Sequence, residues 1–145
     1  LKNDCWKALG SGVAYRQGYI SVSKEHTVRV RIAGEKGFLT IKGGQVGAGR
    51  LEFEYAVPPA EAEIMLEQLC IKPLIEKNRY QITYRGSLWE VDEFFGDNQG
   101  LVVAEIELRS EDQPFDKPDW IGLEVTGDPR YYNASLISYP YSAWR

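Results

Sequence analysis

The chain has 145 residues, a formal net charge of -4 and 43% hydrophobic residues, the make-up of one globular domain over residues 1–145. No apolar run nears the roughly 20 residues of a membrane helix, and the acidic balance argues against nonspecific nucleic-acid binding. Cys5 and Cys70 lack metal-ligand spacing and read as reduced thiols, which predicts a cytoplasmic location.

Period-two alternation, the signature of a strand, dominates the chain. Tyr15 to Val22 is predicted as a first strand, followed by Val28 to Ile32, where valine or isoleucine alternates with arginine. Phe38 to Lys42 is its hairpin partner across a loop between Gly34 and Gly37. A Gly-rich break from Gly43 to Gly49 precedes a strand from Arg50 to Tyr55. Pro58-Pro59 then opens a helix over Ala60 to Leu69: proline suits a first helical turn, Glu61 and Glu63 suit its dipole, and Ile64, Leu66 and Leu69 share an apolar face. Strands return at Glu76 to Tyr84, Leu88 to Phe94 and Leu101 to Arg109, separated by the turns Arg85-Gly86-Ser87 and Gly96 to Gly100. The region 114–119 is irregular, and Asp128-Pro129 leads into a last helix from Arg130 to about Ile137.

Each strand has an apolar face and a charged one. The charged set is Arg29 and Arg31; Lys42; Arg50, Glu52 and Glu54; Lys77 and Arg79; Glu90 and Asp92; Glu105 and Glu107. Like charges two residues apart lie roughly 6.5–7 Å from each other on one side of a strand. At an effective dielectric near 20 they repel by roughly 2.4 kcal/mol. One account is an ordinary solvated face on an open sheet. The other is a closed sheet whose polar interior sets opposite charges, or a ligand, against each pair. The repetition strand after strand favours the lined cavity.

In such a cavity Arg29, Arg31, Lys42, Lys77 and Arg79 suit a polyanion, with arginines making paired bonds to phosphate oxygens. Glu105 and Glu107 suit Mg²⁺ or Mn²⁺, which take hard oxygen ligands. Metal beside phosphate is a recurring arrangement for phosphoryl transfer. There is no P-loop and no Cys/His zinc cluster, and His26 reads as a solvated residue at a strand end.

The chain resembles the CYTH domain family, the triphosphate tunnel metalloenzymes, and within it the small bacterial members. The resemblance rests on Arg16-Gln17-Gly18-Tyr19, Val28-Arg29-Val30-Arg31, Leu39-Thr40-Ile41-Lys42-Gly43 and Glu52-Phe53-Glu54-Tyr55. It continues through Glu76-Lys77-Asn78-Arg79-Tyr80, Trp89 to Phe94, Glu105-Ile106-Glu107-Leu108 and Glu124 to Asn133. It implies a mainly β (α+β) fold: an eight-stranded antiparallel barrel or tunnel with helices outside and a C-terminal plug helix. It also implies hydrolysis of a triphosphate-containing small molecule, inorganic triphosphate first, with Mg²⁺ or Mn²⁺. By the same analogy Arg29, Arg31, Lys42, Lys77 and Arg79 hold the phosphate chain, while Glu105 and Glu107 bind metal and help activate water. Glu52 and Glu54 orient basic neighbours or complete the metal shell, and Glu90 and Asp92 support them. Tyr19 either positions a phosphate or water or is a packing residue. Arg130 either reaches the substrate or caps and packs the last helix. The resemblance leaves room for a homodimer.

The family's opening strand carries Glu-x-Glu-x-Lys, which this chain lacks. We expect a short segment bearing it upstream of Leu1; a natural truncation would instead leave an open sheet edge. The competing functions are nucleotide or thiamine triphosphatase, adenylate cyclase, and a polyphosphate- or nucleotide-binding protein without chemistry.

Overall fold

The computed structural model describes residues 6–7, 10–23, 25–46, 49–106, 108 and 113–144. Seven antiparallel strands form one sheet: β1 (Gly12–Val22), β2 (His26–Ala33), β3 (Lys36–Val46), β4 (Gly49–Val57), β5 (Ile75–Tyr84), β6 (Ser87–Phe94) and β7 (Val102–Ile106). Their order is β4-β3-β2-β1-β5-β6-β7, so β1 is central and β4 and β7 are the two edges. Among the described residues the sheet is open, with seven strands rather than the eight of a closed barrel. Neither edge strand has a second partner there, and the motif that marks the family's opening strand is absent from this sequence.

The strand parities expected from alternation are those observed, with two local exceptions. A bulge in β1 between Tyr19 and Ser21 turns Ile20 and Ser21 to the same side, so Tyr19 faces Arg29 while Ser21 faces Val28. A second bulge, between Lys42 and Gln45, absorbs Gly43-Gly44; β3 therefore runs through the stretch expected to break it. The β5–β6 hairpin turns on Arg85 and Gly86, both at positive φ (48° and 81°), the two-residue connection whose twist matches paired strands.

The apolar face is covered in two places. α1 (Pro59–Gln68) begins on Pro58-Pro59 with Glu61 in its first turn, and its Ala62 and Leu66 pack with Cys70 on Val30, flanked by Ile32 and Leu39. Its buried stripe is thus the i, i+4 pair Ala62 and Leu66, with Met65 beside it. Ile64, expected on that face, is 58% exposed because Leu66 sits about 160° round the helix from it at 3.6 residues per turn. Leu69, also expected there, is 59% exposed and is the C-cap beyond the last helical residue, Gln68. Gly18 lies under the connection that follows α1: a Cβ there would come within 2.7 Å of Leu74 and 2.9 Å of Cys70. At the other end Trp6, Trp120 and Ile121 cover Ile82, Trp89 and Val91, with edge-on Trp6–Tyr80 and Trp89–Trp120 contacts at 5.0 and 5.9 Å.

The charged face is also covered at one end. A short 3-10 turn (Pro129–Tyr131) and α2 (Asn133–Ser138) replace the single helix expected from Arg130. Leu136 and Ile137 of α2 pack on Tyr19, Ile75, Phe94 and Leu101, and Tyr131, Tyr141 and Trp144 close around them. The C-terminal segment therefore walls off one end of the charged face and leaves the remainder open to a ligand.

Candidate active site

Register assembles the charged face across the sheet. Arg31 lies opposite Gln17, Arg29 opposite Thr40, Thr40 opposite Glu54, Lys42 opposite Glu52, Arg79 opposite Asp92, and Glu90 opposite Glu105. Sequence parity thus brings together Tyr19, Arg29, Arg31, Lys42, Glu52, Glu54, Lys77, Arg79, Glu90, Asp92 and Glu105. Glu107 lies outside the described residues.

The β5–β6 half is a closed network. The Lys77 side chain is 0% exposed, and its Nζ donates to Asp92 Oδ2 at 2.8 Å and to Asn133 Oδ1 at 3.3 Å. Arg79 meets the same carboxylate bidentately, Nε to Oδ1 at 2.8 Å and Nη2 to Oδ2 at 3.0 Å, and reaches Glu90 at 3.5 Å. Burial works to raise the Asp92 pKa, but the hydrogen bonds and charges of Arg79 and Lys77 together hold it below the usual carboxylate range. Burial lowers the Lys77 pKa to about 8 against the pull of Asp92. Burial likewise lowers that of Arg79, yet its bonds to Asp92 leave the net shift upward.

The β2–β4 half is loosely paired. Arg29 stands 3.4 Å from Thr40 Oγ1 and 4.0 Å from Glu54, and its buried Nε has no hydrogen-bond partner among the described residues. Lys42 is 3.8 Å from Glu52, and Arg50 donates through Nε to the Gly43 carbonyl. Arg31 donates through Nε to Gln17 Oε1 at 2.8 Å and has no carboxylate partner among the described residues. Burial, then Arg29 and Arg79, lower its pKa to about 10. Burial pushes the Tyr19 phenol up, opposed by the charges of Arg29 and Arg31. A cavity of about 390 Å³ opens here, walled by Arg29, Lys42, Arg50, Tyr19 and Glu105 on the sheet and by Tyr131, Tyr132 and Asn133 from the C-terminal segment.

Arg130 stays outside this group: Nη2 binds Asp128 at 2.9 Å, and its guanidinium lies 5.0 Å from the Trp144 ring. His26 is exposed at the start of β2 and bonds Ser21 through Nδ1. Gln17, Thr40 and Asn133 hold Arg31, Glu54 and Lys77, and none of them has a role of its own from sequence alone. Two share the parity of the charged residues, so a search of that face for neutral polar side chains would have found them.

Among the described residues no group of three or more His, Cys, Asp or Glu could hold a metal ion. Glu105 is a hard oxygen donor on the cavity wall beside Arg29 and Lys42, which suits a cation bound next to phosphate. No helix of the described residues is long and apolar enough to cross a membrane.

An open antiparallel sheet with one basic wall only loosely paired has the chemistry to suit a polyanion. The CYTH domain model matches residues 6–137, and the chain belongs to that family, which implies a divalent metal. It is 54% identical to an inorganic triphosphatase of Acetivibrio thermocellus over 145 residues, 100% of this chain and 93% of that protein. An inorganic triphosphatase of Nitrosomonas europaea is 37% identical over 133 residues, covering 88% of this chain and 87% of that one. The crystal structure of an inorganic triphosphatase aligns with a TM-score of 0.68 at 33% identity, over 88% of this chain and 86% of its own.

Proposed function

We propose that this chain hydrolyses inorganic triphosphate to diphosphate and phosphate with Mg²⁺ or Mn²⁺. The observation that carries this reading is the basic wall of Arg29, Lys42 and Arg50 around a cavity of about 390 Å³. Its ion pairs are 3.8 Å or longer, beside an Arg31 with no carboxylate among the described residues. The names of relatives 54% and 37% identical over most of their length support the same substrate.

In this reading Arg29, Arg31 and Lys42 bind the phosphate oxygens, and the loss of the long ion pairs of Arg29 and Lys42 costs little when substrate arrives. Lys77 and Arg79, already joined to Asp92 and Glu90, fix the height of β5 against β6 beside the site. Glu105, Glu107 and Glu54 would hold the metal, with Glu52 orienting Lys42; bound there, the ion neutralises phosphate charge and acidifies water. One carboxylate of the Glu105 and Glu107 pair accepts a proton of the attacking water as the water oxygen bonds to the terminal phosphorus, while the bond from that phosphorus to the bridging oxygen breaks and diphosphate leaves. Tyr19 orients that phosphate from the covered end. Arg130 serves through Asp128 and Trp144 to set the C-terminal segment, which acts as the plug of a tunnel closed by an eighth strand. The reaction belongs to the cytoplasm.

Phosphate release from inorganic triphosphate, measured with Mg²⁺, with Mn²⁺ and with chelator, tests this. Turnover that needs one of the two metals is expected. Triphosphate binding by calorimetry without turnover in either metal would make the chain a polyphosphate-binding protein instead.

A further inference from the structure

Tyr15 stands where two basic strands meet. Its strand, β1, lies between β2 and β5, and Tyr15 is opposite Ala33 on one side and Lys77 on the other. The guanidinium carbons of Arg31 and Arg79 lie 5.0 and 4.9 Å from the Tyr15 ring centroid, and Lys77 Nζ lies 5.9 Å from it. All three distances fall within the roughly 6 Å at which a cation is attracted to an aromatic face.

The three cations differ in what else they hold. Lys77 and Arg79 share the Asp92 carboxylate, whereas among the described residues Arg31 meets the neutral Gln17 amide and this ring and no carboxylate. A cation meant for a phosphate must stay charged and in place without being consumed by a carboxylate. An aromatic face meets that requirement, because it attracts a guanidinium while accepting none of the strong in-plane hydrogen bonds that a phosphate oxygen would use.

We propose that Tyr15 is a positioning residue, whose ring holds Arg31 ready for the substrate phosphates and separates it from Arg79. The proposal rests on the triphosphatase reading for its substrate. It assigns the work to the ring and none to the hydroxyl.

The test compares Tyr15→Phe with Tyr15→Leu, reading triphosphate kinetics and the arginine Nε–Hε resonances by NMR. Tyr15→Phe is expected to keep KM within about twofold. Tyr15→Leu is expected to raise KM about tenfold, with kcat changed less than about threefold. The ring-current shifts of Arg31 and Arg79 Nε–Hε persist in Tyr15→Phe and vanish in Tyr15→Leu. Tyr15→Met, which is longer and more adaptable than leucine and has no ring, replaces the leucine variant if that one does not fold. A native KM in the ringless variant, or a phenylalanine variant as impaired as the ringless one, overturns the proposal. If the native chain turns over no triphosphate, the substrate reading fails. The Nε–Hε resonances then decide alone, and shifts unchanged without the ring overturn the positioning role.

Discussion

The two halves of the charged face use the same residue types to opposite ends. On β5 and β6, Lys77, Arg79, Asp92 and Glu90 neutralise one another at distances down to 2.8 Å, with Lys77 fully buried. On β2, β3 and β4, Arg29 and Lys42 face Glu54 and Glu52 at 4.0 and 3.8 Å, and those carboxylates are more than half exposed. Compactness explains the difference: the acidic residues of β6 are short or braced by β5, while those of the edge strand β4 have solvent on one side. A satisfied network gives rigidity, and an unsatisfied one gives a ligand site.

The contrast breaks most sharply at Asp92. Asp92→Asn leaves the buried Lys77 ammonium without its counter-charge, and a loss of about 3–5 kcal/mol in unfolding free energy by denaturant titration is expected. On the other half, Arg29→Ala is expected to lower kcat/KM for triphosphate roughly hundredfold while the unfolding midpoint moves little, since its ion pair is long and partly solvated. Equal stability losses at the two positions would erase the distinction.

Proton linkage sharpens it further. The Asp92 pKa is depressed in the folded state, so its stabilisation is complete above the unfolded value of about 4 and is lost as pH falls through the folded one. The melting-temperature gap between the native chain and Asp92→Asn should therefore narrow below about pH 4. For Lys77 the folded pKa is about 8 against 10.5, so the unfolded chain binds more protons between these values. The Lys77 contribution to stability rises with pH across that window, and Lys77→Met should flatten the rise. The smallest effect belongs to Arg130→Ala: its exposed pair with Asp128 should leave kcat/KM within about threefold of native.

Much of this layout is written in the strand alternation. Val28-Arg29-Val30-Arg31 and Tyr80 to Asp92 assign their faces unaided, because side chains alternate strictly along a strand. Alternation cannot show commitment: Arg31 and Arg79 look alike in sequence, and only register gives Arg79 a carboxylate and Arg31 an amide. It also misses insertions, so the bulge at Ile20 and Ser21 carried no mark. In α1 the expected stripe is Ile64, Leu66 and Leu69, and packing on Val30 selects the one through Ala62 and Leu66 instead. Tyr131, Tyr132 and Asn133 reach the cavity from a segment with no period at all.

The central position of β1 also sets an order of events. Strands β1 to β4 form one meander and β5 to β7 another, each joined by hairpins of short sequence separation. Among the described residues one strand seam, Gly12–Gln17 against Ile75–Tyr80, unites them. Contacts so far apart in sequence are slow to form, because a long loop must close first. Tyr15 and Lys77 face each other on that seam, so the substrate wall and the buried network come into register in the same late step. Pulse-labelled hydrogen exchange would read it as protection of the seam amides lagging behind the β2–β3 and β5–β6 hairpins.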